Sequence, residues 1–158
     1  MPTARNAARA AVLDGKIYVV GGRNGLRPGD VLATVDIYDP ATNAWSQAPP
    51  MSTARSVLGV AALGGKLYAA AGHDGTTSLS SVEVFDPQTN AWTALAPMST
   101  ARHSFAMAAV QGKLYAAGGD DRNSSTLTSV EAFDPQQNRW EAVAAMNQKH
   151  DVGAVAAL

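Results

Sequence analysis

Residues 50–55 read Pro50-Met51-Ser52-Thr53-Ala54-Arg55, and residues 97–102 repeat them letter for letter as Pro97-Met98-Ser99-Thr100-Ala101-Arg102. The chain opens on a related run, Met1-Pro2-Thr3-Ala4-Arg5, and Met146 begins a fourth copy that stops short at Leu158. Outward from these runs the same interval returns. Trp45, Trp92 and Trp140 are 47 and 48 residues apart, and Asp39-Pro40, Asp86-Pro87 and Asp134-Pro135 keep that spacing. A chain of 158 residues therefore holds three units of about 48 and a fragment, with boundaries near 1–50, 51–97, 98–145 and 146–158. A period of this size marks a propeller or solenoid, in which one unit cannot bury its own faces.

Each unit reads as four short strands. The first is small and apolar: 10–13, 58–63 and 106–110. It ends at Asp14-Gly15, Gly64-Gly65 or Gln111-Gly112, two-residue loops whose Gly accepts the positive φ of a primed hairpin turn. The second strand is Lys16–Val20, Lys66–Ala70 or Lys113–Ala117, running into Gly21-Gly22, Ala71-Gly72 or Gly118-Gly119. A long polar loop leads to the third strand at 34–38, 81–85 and 129–133. The turn to the fourth reads DPATN, DPQTN or DPQQN, with Pro presetting φ and Asn tolerating the left-handed conformation. The fourth strand carries the Trp. Tyr38, Phe85 and Phe133 each stand seven residues before a Trp, a recurring pair that suits packing between blades. With no helix-period stretch, the reading is all-β, in four-stranded blades.

Composition limits the partners. Twelve Lys and Arg against thirteen Asp and Glu leave a formal net charge of -1, without the basic excess that nucleic acid or an anionic membrane requires. At 46% apolar and 16% charged residues the chain is not of the disordered class. Cys is absent, which excludes disulfides, thiolate metal sites and Cys nucleophiles. No window approaches 18 consecutive apolar residues, and residues 1–10 lack the apolar core of a signal peptide. The expectation is a soluble protein, with a cytoplasmic compartment slightly favoured over others.

The unit resembles the kelch repeat over essentially the whole chain. The carrying residues are Gly21-Gly22, Gly118-Gly119, Tyr38, Phe85, Phe133 and the three Trp. The middle copy departs with Ala71-Gly72, where the backbone must tolerate a Cβ. The resemblance implies the blades of a β-propeller, commonly six to a ring. Three blades are half of such a ring, with one extra first strand expected at 152–158. The implied function is a non-catalytic scaffold that binds protein or another ligand. Either the chain is a piece of a longer propeller, or two copies close the ring as a homodimer; the homodimer is the favoured expectation.

The resemblance also places candidate binding residues. In kelch propellers that bind peptides, the starts of the first strands and the loops after the Gly doublets line one face of the channel. Here these are Arg5-Asn6, Arg55-Ser56 and Arg102-His103, with His150-Asp151 at the matching offset, and the loop residues Arg23, Asn24, His73, Asp74, Asp120, Asp121, Arg122 and Asn123. Two readings of the three Arg stand side by side. They bond carbonyls or acids inside the fold, or they line a cationic funnel for an acidic peptide, a carboxylate or a sugar.

Catalytic signals are sparse. His73, His103 and His150 are the only imidazoles, and sequence neighbours such as His103-Ser104 point to opposite faces of a strand. Gly15-Lys16, Gly65-Lys66 and Gly112-Lys113 lack the remaining pattern of a phosphate loop. A metal site from His103, His150 and Asp151 is disfavoured, and no cofactor is expected. The alternatives are a sugar-acting propeller enzyme resembling the kelch-type sialic-acid mutarotases, and an idealised or fragmentary scaffold without an evolved ligand.

Overall fold

The computed structural model describes residues 1–151. The strand expected at 152–158 lies outside the described residues. Among these the chain folds into three four-stranded antiparallel sheets. The first holds β1 (Arg9–Leu13), β2 (Lys16–Val20), β3 (Val35–Asp39) and β4 (Ala44–Ala48). The second holds β5 (Gly59–Leu63), β6 (Lys66–Ala70), β7 (Val82–Asp86) and β8 (Ala91–Leu95), and the third β9 (Ala106–Val110), β10 (Lys113–Ala117), β11 (Val130–Asp134) and β12 (Arg139–Val143). Each sheet is a meander in chain order, and the first strands β1, β5 and β9 pack on one another. The expected strands differ from these by about one residue at their ends. A single 3₁₀ turn, Pro28–Asp30, interrupts the first long loop.

The turn chemistry explains the register. Asp14 and Gly15 have φ of 50° and 72°, Gly64 and Gly65 59° and 73°, and Gln111 and Gly112 48° and 78°. Both central residues are left-handed, as a type I′ turn demands, so Leu13 pairs with Lys16 and Leu63 with Lys66. Asn43, Asn90 and Asn138 supply the left-handed residue after each Asp-Pro, with φ between 47° and 52°. The Asp39 carboxylate caps its turn by accepting the Ala41 N–H at 2.9 Å. Ala71 holds φ of 54° where Gly21 and Gly118 hold 61° and 66°. The middle copy therefore keeps the same backbone, and Ala carries the left-handed strain in place.

Between blades the core is built twice from equivalent residues. Leu13, Tyr18, Val20, Val35 and Met51 pack against Leu58, Leu67 and Phe85 at the first junction. Tyr68, Ala70, Val82 and Met98 pack with Phe105, Leu114, Phe133 and Trp140 at the second. Tyr38–Trp45, Phe85–Trp92 and Phe133–Trp140 are pairs within one sheet, directly opposed on its third and fourth strands, with ring centroids 5.1–5.4 Å apart. The contact between blades is made by that aromatic layer as a whole. Tyr18 meets Phe85 and Tyr68 meets Phe133, both at 6.2 Å. Trp92 Nε1 donates to the Pro49 carbonyl at 2.9 Å, and Trp140 Nε1 to that of Ala96 at 3.2 Å.

Backbone bonds also step from blade to blade. Val57 N–H donates to Ala7 O at 2.8 Å, and Ser104 N–H to Val57 O at 2.9 Å. All three residues have positive φ, 53°, 46° and 55°, which turns their peptide groups sideways out of the strand. For the β-branched Val57 this is an unusual conformation.

Candidate functional site

Because consecutive strands are antiparallel, the two-residue hairpins and the Asp-Pro turns fall at one end of every blade. The long loops and the connectors between blades fall at the other. The isolated bridges Asn6–Arg23–Val31, Ser56–His73–Ser78 and His103–Asp120–Thr126 extend each sheet at that second end. The expected pairs of a strand start and a loop residue are thereby brought together: Asn6 with Arg23, Ser56 with His73, His103 with Asp120.

The arginines sit elsewhere. The Arg55 and Arg102 side chains are wholly buried, and that of Arg5 is 1% exposed. Arg55 Nη1 donates to the carbonyls of Ala71 (2.9 Å) and Ser81 (3.0 Å), and Nη2 to Ser81 Oγ (3.2 Å) and Glu83 Oε1 (2.8 Å). Arg102 repeats this with Gly118, Ser129 and Glu131, and Arg5 with Gly21, Thr34 and Asp36. The carboxylate is held from its far side too: Glu83 accepts the Ser52 N–H and O–H at 2.8 and 2.7 Å and the Thr53 N–H at 3.2 Å. Burial pushes the Glu83 carboxyl up, but the Ser52 donors and Arg55 outweigh it and hold the group below its ordinary value. The guanidiniums of Arg5, Arg55 and Arg102 therefore clamp the connector to its own blade and offer no cationic ring at the channel mouth. The acids Asp36, Glu83 and Glu131 were missed in the sequence reading. Their signal is an acid at the second residue of each third strand, between apolar neighbours, once per copy.

The loop residues differ from blade to blade. Arg23 Nε donates to Gly25 O at 2.8 Å, and Asn24 is exposed. Asp74 closes its own turn through the Thr76 and Thr77 amides at 2.8 Å. His73 Nδ1 accepts the Gly75 N–H at 2.9 Å, and its ring stands edge-on to that of His103, 5.5 Å between centroids. His103 Nδ1 bonds Ser78 Oγ at 2.9 Å, and Ser78 also reaches Asp121 O. These contacts join blades two and three. Burial lowers the pKa of His103, against the opposing pull of Asp120, with the neighbouring His73 lowering it further. Asp120 accepts from Thr126 Oγ1, and Asp121 from the amides of Asn123 and Ser125.

A cleft of about 390 Å³ opens between the second and third blades at this end, lined by Ser80, Ser99, Thr100, Ala101, Asp121, Arg122 and Asn123. It presents hydroxyls, an amide, the Asp121 carboxylate and one exposed guanidinium. Among the described residues no three of His, Asp and Glu converge as metal ligands. The Gly-Lys lysines pair on the surface instead, Lys16 with Asp39 at 3.1 Å and Lys66 with Asp86 at 2.9 Å. Among the described residues no helix is long and apolar enough to cross a membrane.

Meanders of four strands, stacked face to face around their first strands and bound by one repeated Arg–carboxylate clamp, define a β-propeller arc. The profile described as KLHDC2/KLHL20/DRC7 Kelch-repeats domain matches residues 1–154, and the chain belongs to the kelch-repeat family. It is 53% identical over 36 residues to an F-box/kelch-repeat protein of Arabidopsis thaliana, covering 23% of this chain and 10% of that one. It is 44% identical over 57 residues to the kelch-like protein terF of Aspergillus terreus, 35% of this chain and 12% of that protein. The matches thus span about a tenth of these relatives' lengths. Among solved structures, that titled "Structure of YjhT" superposes with a TM-score of 0.85 at 18% identity, over 98% of this chain and 59% of the other. At that identity the likeness is one of fold.

Proposed function

We propose that the chain is a non-catalytic binding module of the kelch type. Its ligand, an acidic peptide or a small organic anion, sits at the loop end, and a second copy of the chain completes the ring. The observation that carries the binding reading is the cleft between blades two and three. There Arg122 stands exposed in a lining that includes the Ser80 and Thr100 hydroxyls, while Ser99 Oγ donates to Glu131 at 2.8 Å and the Asp121 carboxylate accepts the Asn123 and Ser125 amides, with the uneven loops of His73–Asp74 and Asp120–Asn123 beside it. A guanidinium flanked by hydroxyls suits a carboxylate, which takes two parallel N–H bonds and leaves lone pairs for O–H donors. Rigid strands positioning irregular loops are the usual arrangement for recognition.

The test is binding of a panel of acidic peptides and sugar acids by calorimetry, to the wild-type chain and to Arg122→Ala. Arg55 and Arg102 are unsuited to it, since their loss would unfold the connector. A ligand whose affinity falls at least about tenfold in Arg122→Ala supports the reading. A ligand bound equally by both chains, or no ligand in the panel, discards the cleft. Turnover of a sugar acid by the wild-type chain would replace the module with an enzyme.

A further inference from the structure

Ser78 is a buried serine whose hydroxyl crosses from blade two to blade three. Its Oγ stands 2.9 Å from His103 Nδ1 and 3.3 Å from the Asp121 carbonyl oxygen. A hydroxyl carries one hydrogen, so it donates to one of these acceptors at a time. The two lengths show which. An O–H···O bond is ordinarily about 2.7–2.8 Å long, so the contact with Asp121 is stretched and the hydrogen is committed to the imidazole. With Nδ1 accepting, the neutral His103 ring carries its own hydrogen on Nε2.

Asp121 is the first residue beyond a fixed point. The backbones of His103 and Asp120 are tied by two bonds of 3.0 and 2.9 Å, so any movement of the loop begins at Asp121. Asp121 in turn organises that loop. Its carboxylate accepts the Asn123 and Ser125 amides, and its carbonyl the Ser124 N–H at 3.2 Å. Arg122 and Asn123, carried between these anchors, are exposed and line the cleft. A bond on the Asp121 carbonyl therefore bears on where the cleft's guanidinium stands. The first junction shows that packing alone does not require the hydroxyl. There Val31 holds the position of Ser78 and Ser56 that of His103, and Val31 is buried with no polar atom to offer.

We propose that Ser78 and His103 are positioning residues of the cleft, a one-proton relay that sets the Arg122 loop according to pH. Protonation from water adds a second N–H to His103, at Nδ1, and this donates to Ser78 Oγ. The freed hydroxyl hydrogen then turns to the Asp121 carbonyl, and the stretched contact becomes a bond. Acid thus holds Arg122 in one setting and adds a positive charge at the junction. Both favour an anion in the cleft, a consequence that rests on the binding reading above. The titratable groups facing His103 are Asp120 and Asp121 from its own blade and His73 from blade two, with Asp74 acting on His73. Burial is the largest influence and lowers the His103 pKa; the two carboxylates oppose it and His73 adds to it. The exchange therefore falls on the acid side of 6.5.

NMR titration of the full chain without ligand tests the relay separately from the cleft reading, which Arg122→Ala tests by calorimetry. From about pH 7.5 to about pH 5 the Arg122, Asn123 and Ser125 amide resonances should shift with the same midpoint as the His103 ring. In Ser78→Ala the ring still titrates, and the loop shifts should shrink at least about threefold. Ser78→Thr keeps the hydroxyl, as blade three does with Thr126 at this position, and should restore them. The ring nitrogen resonances should place the neutral hydrogen on Nε2. For the effect on binding the probe is a hexaglutamate peptide. The wild-type chain should bind it at least about threefold more tightly at the lower pH, and Ser78→Ala should lose most of that gain. A neutral ring with its hydrogen on Nδ1, or loop shifts as large in Ser78→Ala as in the wild type, would overturn the relay. A pH gain in peptide affinity kept in full by Ser78→Ala would overturn its hold on the cleft.

Discussion

The first and second blades follow one repeat pattern in two surroundings. Among the described residues the second packs against a blade on each side, and the first against the second alone. Arg55 is fixed by its side chain and also by its backbone, donating to Leu32 O and accepting from Gly22 N–H of the first blade. Arg5 makes the same side-chain bonds to Gly21, Thr34 and Asp36, but among the described residues its backbone makes neither of the two bonds that hold Arg55. In a propeller the local repeat sets the shape of a blade, while its stability comes from the neighbours.

The largest expected effect tests this division. Arg55→Ala leaves Glu83 as a buried carboxylate without its cation, at a cost of about 3–5 kcal/mol. Arg5→Ala should cost clearly less. The segment before it, with Met1, Pro2 and Ala4 exposed, can lift away and let water reach Asp36. Urea denaturation of both variants reads the difference, and equal losses would mean that residues 1–5 are held as rigidly as the connector at 51–55.

Next in size is Gly59→Ala. An added Cβ would lie 2.5 Å from Phe105 Cζ and 2.7 Å from the Met107 sulfur, across the second junction. Overpacking of this kind costs about 1–3 kcal/mol. Arg9 holds the same repeat position in blade one, where the residue equivalent to Phe105 is the smaller Leu58. Phe105→Leu should therefore relieve the Gly59→Ala variant, and the double variant should be more stable than Gly59→Ala alone in the same urea series.

Much of this was legible in the sequence. The period, the strands and the turns follow from positions where chemistry admits few residues: Asn43, Asn90 and Asn138 at left-handed φ, and Gly15, Gly65 and Gly112 in the hairpins. The role of the arginines was not fixed in the same way. A repeated Arg at a strand start looks alike whether it meets a ligand or a carboxylate, and only the third-strand acids decide between the two. Those acids lie 31, 28 and 29 residues away, across a loop of varying length, so no constant offset announces the pair. The cleft was harder still. It is formed by Ser80 and Ser99 to Ala101 meeting Asp121 to Asn123, segments brought together by the packing of one blade on the next.

Ala71 separates local strain from tertiary packing. Its φ of 54° matches Gly21 and Gly118, so the blade imposes the conformation whichever residue occupies it. Ala71→Gly should stabilise the chain by about 1 kcal/mol, by removing a left-handed Cβ. Thermal unfolding checks this, and a lower melting temperature would show instead that the buried methyl contributes more than the strain costs.

The smallest expected effect is a pH response confined to one junction. Repeat position for repeat position, Asn6, Ser56 and His103 are equivalent, and only the last titrates near neutrality. Burial and the His73 ring depress the His103 pKa below its ordinary 6.5 despite the pull of Asp120. Asp121 pulls in the same upward direction from its loop, while Ser78 supplies the hydrogen bond on Nδ1. With the folded pKa the lower of the two, the unfolded chain binds more protons below pH 6.5. Stability therefore rises with pH through that window and levels off above it. Replacing His103 with Asn, the residue blade one carries, should flatten the stability profile between pH 5 and 7. Replacing His73 with Asn should only reduce its slope, because burial still acts on His103. A slope that survives His103→Asn unchanged would assign the response to another group and leave the junction between blades two and three no more sensitive to pH than that between one and two.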